Sequence, residues 1–85
     1  MGDKDYNGWK NRETRHVMLR INNEYSLYKE AVTFMQKYKG RSPYAHFIKA
    51  MGLTDEKTPA NIKWRSSLLD YKALNEAMWE LKGDN

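Results

Sequence analysis

Residues 24–52 read EYSLYKEAVTFMQKYKGRSPYAHFIKAMG, and their apolar spacing encodes two helices. Side chains three and four residues apart share a helix face. On that rule a helix is predicted from about Glu24 to Tyr38. Its inner stripe is Tyr28, Ala31, Met35 and Tyr38, beside Leu27, Val32 and Phe34. Gly40 is a natural stop, because glycine tolerates the left-handed conformation that closes many helices. Ser42-Pro43 then reads as an N-cap followed by the first helical residue, where proline's missing N–H costs nothing. The next apolar face is Tyr44, Phe47, Ile48 and Met51, and Gly52 ends it.

Working outward from this pair, Asn11 is an N-cap for an earlier helix and Glu13 places a negative charge in its first turn. Thr14, Val17, Met18 and Ile21 then fall on one face. Val17, Leu19 and Ile21 also alternate as a strand would. Helix is favoured because no second convincing strand is available to pair with it, and Asn22-Asn23 ends the element. On the other side, Leu53 to Leu69 is irregular. Thr58-Pro59 interrupts helix, since proline disfavours helical backbone in the residue before it. Ile62 and Trp64 are expected to pin this loop to the core, with Leu68 and Leu69 further along. Asp70 caps a last helix whose buried stripe is Leu74, Ala77, Met78 and Leu81, and Gly83 ends it. The expected fold is all-α: a small bundle of about four short helices, with one long ordered loop before the last. Residues 1–8, with Asn7-Gly8 as a turn signal, read as a flexible lead-in, 9–82 as a single helical domain and 83–85 as a tail.

The chain has 85 residues, no cysteine, 40% hydrophobic and 31% charged residues. One domain of this length buries roughly 60–65% of its unfolded surface, so its core is thin. Neither disulfides nor thiolate metal sites can supplement that core. No apolar run reaches the roughly 20 residues of a membrane span. The first residues lack a hydrophobic signal region, so a cytoplasmic protein is expected. The net charge is +4, unevenly spread: from Ala31 to Thr54 and from Lys57 to Leu69 there are bases and no acid. Such a field attracts acidic proteins or nucleic acid. It also simply keeps a small protein soluble.

Catalysis finds little footing. Ser26, Ser42, Ser66 and Ser67 stand in no nucleophile motif, and nucleophilic catalysis needs an activated side chain beside a base. His16 and His46 lie on different predicted helices, away from metal-ligand spacing. Glu76 and Glu80 are one turn apart, which is the pattern of an ordinary solvated face. The five glycines are isolated, so no phosphate-cradling loop is present. A non-enzymatic protein without cofactor, metal or small-molecule substrate is expected.

Two basic surfaces are the binding candidates. Arg12, His16 and Arg20 are spaced i, i+4, i+8, with Arg15 alongside and Lys10 just before. Guanidinium groups along a helix suit carboxylates or phosphates, because each presents a planar fork of donors. An ordinary solvated helix face explains the same residues equally well. The second candidate is Lys63-Trp64-Arg65, in which cations flank an indole that could stack a nucleic-acid base. Trp64 as a hydrophobic anchor for the long loop is the better reading, given Ile62 two residues earlier. His46 reads as a partly buried structural side chain. Trp79 is placed at the core edge, and Trp9 is expected to pack back over the first and last helices.

Trp9, Asn11, Glu13, Thr14, Val17, Leu19 and Asn23 form the pattern W-x-N-x-E-T-x-x-V-x-L-x-x-x-N. This resembles a family of small phage-encoded proteins, found occasionally on plasmids or in bacteria. A weaker echo runs through Thr58-Pro59, Ile62-Lys63-Trp64, Leu69-Asp70 and Leu74-Asn75-Glu76, so the resemblance extends from Trp9 to Leu81. It implies phage origin more than mechanism. Small phage proteins of this kind are commonly made early and act on host machinery. The chain departs from the pattern at Arg15 and Arg20, where members often carry tryptophan. Without any ligand, Asn11, Glu13 and Thr14 are explained as a helix start: a cap, a first-turn acid and a hydroxyl that bonds backbone. The functional expectation is an accessory protein that binds a host protein through the basic, aromatic-flanked surface. A small nucleic-acid-binding module using the same residues is the alternative.

Overall fold

Asn11 opens the first helix, α1 (Arg12–Asn23), by accepting the Thr14 amide on its Oδ1 at 2.8 Å. The computed structural model describes residues 11–83. The lead-in expected over residues 1–8, the packing expected of Trp9, Lys10, and the last two residues lie outside the described residues. Where a strand was the rival reading, α1 is helical throughout, and Thr14, Val17, Met18 and Ile21 are its buried stripe. Glu24 alone separates it from α2 (Tyr25–Lys37), with an extended backbone whose N–H still donates to Arg20 O at 3.0 Å. One extended residue is enough to turn the chain, because it breaks the helical ladder for both neighbours.

α2 buries Ala31 and Met35, with Leu27, Tyr28, Val32 and Phe34 half-buried around them. Phe34 stacks on Tyr38 with ring centroids 5.1 Å apart and meets Phe47 edge-on at 5.5 Å. Gly40 does not supply the left-handed stop expected of it: Tyr38 ends α2 in extended backbone, and a Cβ at position 40 would push the Tyr38 ring aside. The Tyr38 hydroxyl accepts the Ser42 amide at 3.0 Å and lies 3.0 Å from His46 Nδ1. His46 is therefore structural, as expected, yet exposed: its Nδ1 reaches Ser42 O at 2.9 Å from the surface side of the turn.

Ser42 holds the N-cap position of α3 (Pro43–Ala50), but its own hydroxyl makes no capping bond. Asn75 of the last helix supplies the acceptor instead, through Oδ1 to the Tyr44 amide at 3.0 Å. At the other end, Gly52 takes φ +74°, its amide donates to Lys49 O, and the Leu53 amide donates to Ile48 O at 2.9 Å. This is the paired closure of a Schellman motif, which needs a left-handed residue where glycine stands.

The last helix, α4 (Tyr71–Gly83), is capped by Asp70 Oδ1, which accepts the Ala73 amide at 3.3 Å. It touches each of the other three helices, so Leu74, Met78 and Leu81 sit at the centre of one contiguous apolar cluster. Among the described residues there is no strand, only an isolated antiparallel bridge between Lys57 and Lys63. The described residues form an all-α bundle of four helices with a long ordered loop, as the periodicity predicts.

The loop is ordered by its own backbone. The Thr58 amide donates to Ile62 O and the Asn61 amide to Thr58 O, each at 2.8 Å. Pro59 presets the turn, and Asn61 accepts the positive φ of 68° that closes it. Trp64 then drops into the core at 5% exposure, its amide donating to Glu56 O at 3.1 Å. The buried Tyr44 hydroxyl donates to Trp64 O at 2.6 Å, locking loop to α3. Burial, reinforced by the neighbouring Tyr71 phenol, raises the Tyr44 pKa and keeps that donor protonated.

Candidate functional site

Two clamps hold the start of α1 against the loop. Asn11 Nδ2 donates to Leu68 O at 2.7 Å, and Thr14 Oγ1 accepts the Asp70 amide at 2.9 Å. The residues that define the helix start therefore also fasten it to the start of α4, across more than fifty residues of chain. Between these clamps and the 57–63 turn lies a groove of 510 Å³, lined by Arg12, Glu13, Lys57, Asn61, Ile62, Lys63, Ser66, Ser67 and Leu68 among others.

The groove is basic for a structural reason. Lys57 and Lys63 are bridge partners on antiparallel backbone, so their side chains leave the ladder as cross-strand neighbours. Like charges placed directly opposite each other repel, and a sheet pair built for stability alone avoids them. Arg12, in the first turn of α1, brings a third cation to the same groove, and all three side chains are exposed. Glu13 is the one acid among the described residues that line it. Ile62 is half-buried and Leu68 is 61% exposed, so the groove also has an apolar part.

The residues named from sequence are not brought together as one face. Arg12 and Lys63 meet in the groove, with Lys57, which sequence reasoning missed. The available signal was the turn Thr58-Pro59-Ala60-Asn61, whose closure pairs the residues on either side of it. Arg65 lines a different depression with Tyr71 and Asn75, apart from the groove that Lys63 lines. Trp64 is the loop anchor that was the better reading from sequence: its ring is buried, and a buried ring has no free face on which a base could stack, so it leaves the set of binding candidates. Arg15 and Arg20 are half-buried, with Nε atoms that are buried and have no hydrogen-bond partner among the described residues. Arg20 pairs with Glu24 at 3.2 Å.

His16 is occupied structurally. Its Nε2 lies 2.8 Å from Thr58 Oγ1, which also accepts the Ile62 amide at 3.3 Å. A neutral ring fits this arrangement, accepting the threonine O–H while the oxygen's lone pair takes the amide. Burial first, and then the charges of Arg20 and Arg12, lower the His16 pKa from its ordinary value of 6.5. The unfolded chain then binds the proton more readily than the folded one. Stability is accordingly full above pH 6.5 and falls as pH drops toward the depressed value. In thermal melts the wild type should lose more stability between about pH 7.5 and about pH 5.5 than His16→Gln does. Equal losses in the two proteins would show that His16 does not couple to folding.

Among the described residues no group of three or more His, Cys, Asp or Glu side chains is arranged to hold a metal ion. Nor is any helix long and apolar enough to cross a membrane. Fold and groove together define a small all-α protein with a cationic, partly apolar surface groove. The chain belongs to a family of unknown function, DUF7249, whose model matches residues 2–84. No curated protein and no solved structure matches it.

Proposed function

We propose that the protein is a non-enzymatic accessory protein that binds an acidic segment of a partner protein in the groove between α1 and the 57–68 loop. The observation that carries this reading is the convergence of Arg12, Lys57 and Lys63, with the two lysines facing each other across one bridge. An incoming carboxylate relieves that repulsion, and each cation can donate to it. The exposed Leu68 beside them suits an apolar side chain of the same segment. A resemblance to phage-encoded proteins supports a host protein as the partner and the host cytoplasm as the place of action.

A nucleic-acid strand is the second reading, on the same cations. It is less favoured because the Trp64 indole, which would have to stack a base, is buried. Were α2 and α3 to act as a helix-turn-helix, α3 as the recognition helix would offer only His46 and Lys49 as basic side chains, and His46 is already bonded within its turn. The two readings part on salt: phosphate binding weakens steeply and linearly on a log–log plot, through counterion release.

The test is a tagged pull-down from bacterial lysate, with and without nuclease, using wild type and the triple variant Arg12→Ala/Lys57→Ala/Lys63→Ala. All three side chains are exposed, so the variant should keep its helical circular dichroism. One dominant protein retained after nuclease by wild type, and lost at least about tenfold in the variant, is the expected result; closely apposed charge pairs contribute about 1.5–7 kcal/mol in measured cases. Retained nucleic acid, with proteins that vanish after nuclease, overturns it in favour of the second reading.

A further inference from the structure

We infer that α2 carries a second, self-complementary surface, and that its occupant is α2 of another copy of this chain. The surface is a groove of 400 Å³ between α2 and the end of α3, floored by Phe34, Phe47 and Ala50 and bounded on α2 by Glu30 and Lys37. It is independent of the basic groove, and its charge differs: one acid and one base line it, so it is locally neutral in a chain of net charge +4. Lys39, Arg41 and Lys49 belong to the same stretch of chain, so what favours a second copy is the specific match of Glu30 with Lys37 and not a neutral surround.

The arrangement on α2 points to two-fold pairing. Glu30 and Lys37 are exposed, and they stand two helical turns apart on one face, with Thr33 and Phe34 midway. When two such helices cross antiparallel at Thr33 and Phe34, Glu30 of each copy lies opposite Lys37 of the other. A two-fold axis makes every contact twice, so both ion pairs form together, with exposed Thr33 and half-buried Phe34 of each copy between them. Exposed Thr33 and Ala50 are small enough to let the backbones approach.

Sedimentation equilibrium on the full chain from about 1 µM to about 1 mM tests this. Wild type is expected to show a monomer–dimer equilibrium. Glu30→Lys and Lys37→Glu each turn two attractive pairs into two repulsive ones. Each should raise the dissociation constant at least about tenfold, with circular dichroism unchanged. The double variant Glu30→Lys/Lys37→Glu restores opposite charges and should return to near the wild-type constant. Mixing the two single variants should form a heterodimer tighter than either homodimer. A wild type that stays monomeric throughout overturns the inference, including one whose groove takes a foreign partner instead. So does a dimer indifferent to these reversals, or a mixture that fails to associate.

Discussion

Trp64→Ala should cost about 3–5 kcal/mol of folding stability, the range for truncating a buried large aromatic. At roughly 4–8 °C per kcal/mol for a domain of this size, the melting temperature should fall by well over ten degrees. Trp64 is 5% exposed, and it is the point where the long loop enters the apolar cluster. Its removal leaves a cavity beneath the segment whose backbone carbonyl receives the buried Tyr44 hydroxyl at 2.6 Å. The loop carries Lys57 and Lys63, so loosening it should weaken partner binding as well. Urea titration with a far-ultraviolet signal checks the stability, and a loss under about 1 kcal/mol would restore Trp64 to the surface as a stacking platform.

The second large effect is expected at Thr14. Thr14→Val keeps the shape and the methyl group but removes the acceptor of the Asp70 amide. Thr14 is fully buried, so that amide is left without a partner in the interior, and the loss should be about 1–3 kcal/mol. Thr14→Ser keeps the oxygen and gives up only a methyl, so it should cost about 0.8 kcal/mol or less. The contrast separates a hydrogen bond from packing. Were the two variants to lose equal stability, the hydroxyl would be filling space and nothing more.

Thr14 also shows how much of this protein was legible from local pattern. A hydroxyl in the first turn of a helix predicts a bond to backbone, and the bond exists. The backbone it meets is that of Asp70, not of its own turn. Asn75 is the mirror case: nothing in its neighbourhood announces that it caps α3, where Ser42 was the local candidate. Both are long-range capping bonds, and a capping bond demands only an oxygen near an amide, whichever part of the chain supplies it. The candidate groove divides along the same line. Arg12 and Lys63 were nameable from charge and spacing, whereas Lys57 entered only when the turn closed and the bridge placed it opposite Lys63.

By itself the sequence determined the four helices and their inner faces. Ala31 and Met35, Tyr44 and Phe47, Leu74 and Met78 are all buried where their spacing places them, because helix periodicity, capping residues and glycine stops act over a few neighbouring residues. It also determined that the loop is anchored rather than loose, through Ile62 and Trp64. Only the tertiary structure decided which charges share a surface. Cations spread from Arg12 to Arg65 divide between separate depressions once α1 docks on the loop, and Trp64 leaves the surface between Lys63 and Arg65. Side-chain charge is indifferent to fold until packing sets the distances. A helix is a local solution of the backbone, and a binding groove is a meeting of segments that only the closed core brings together.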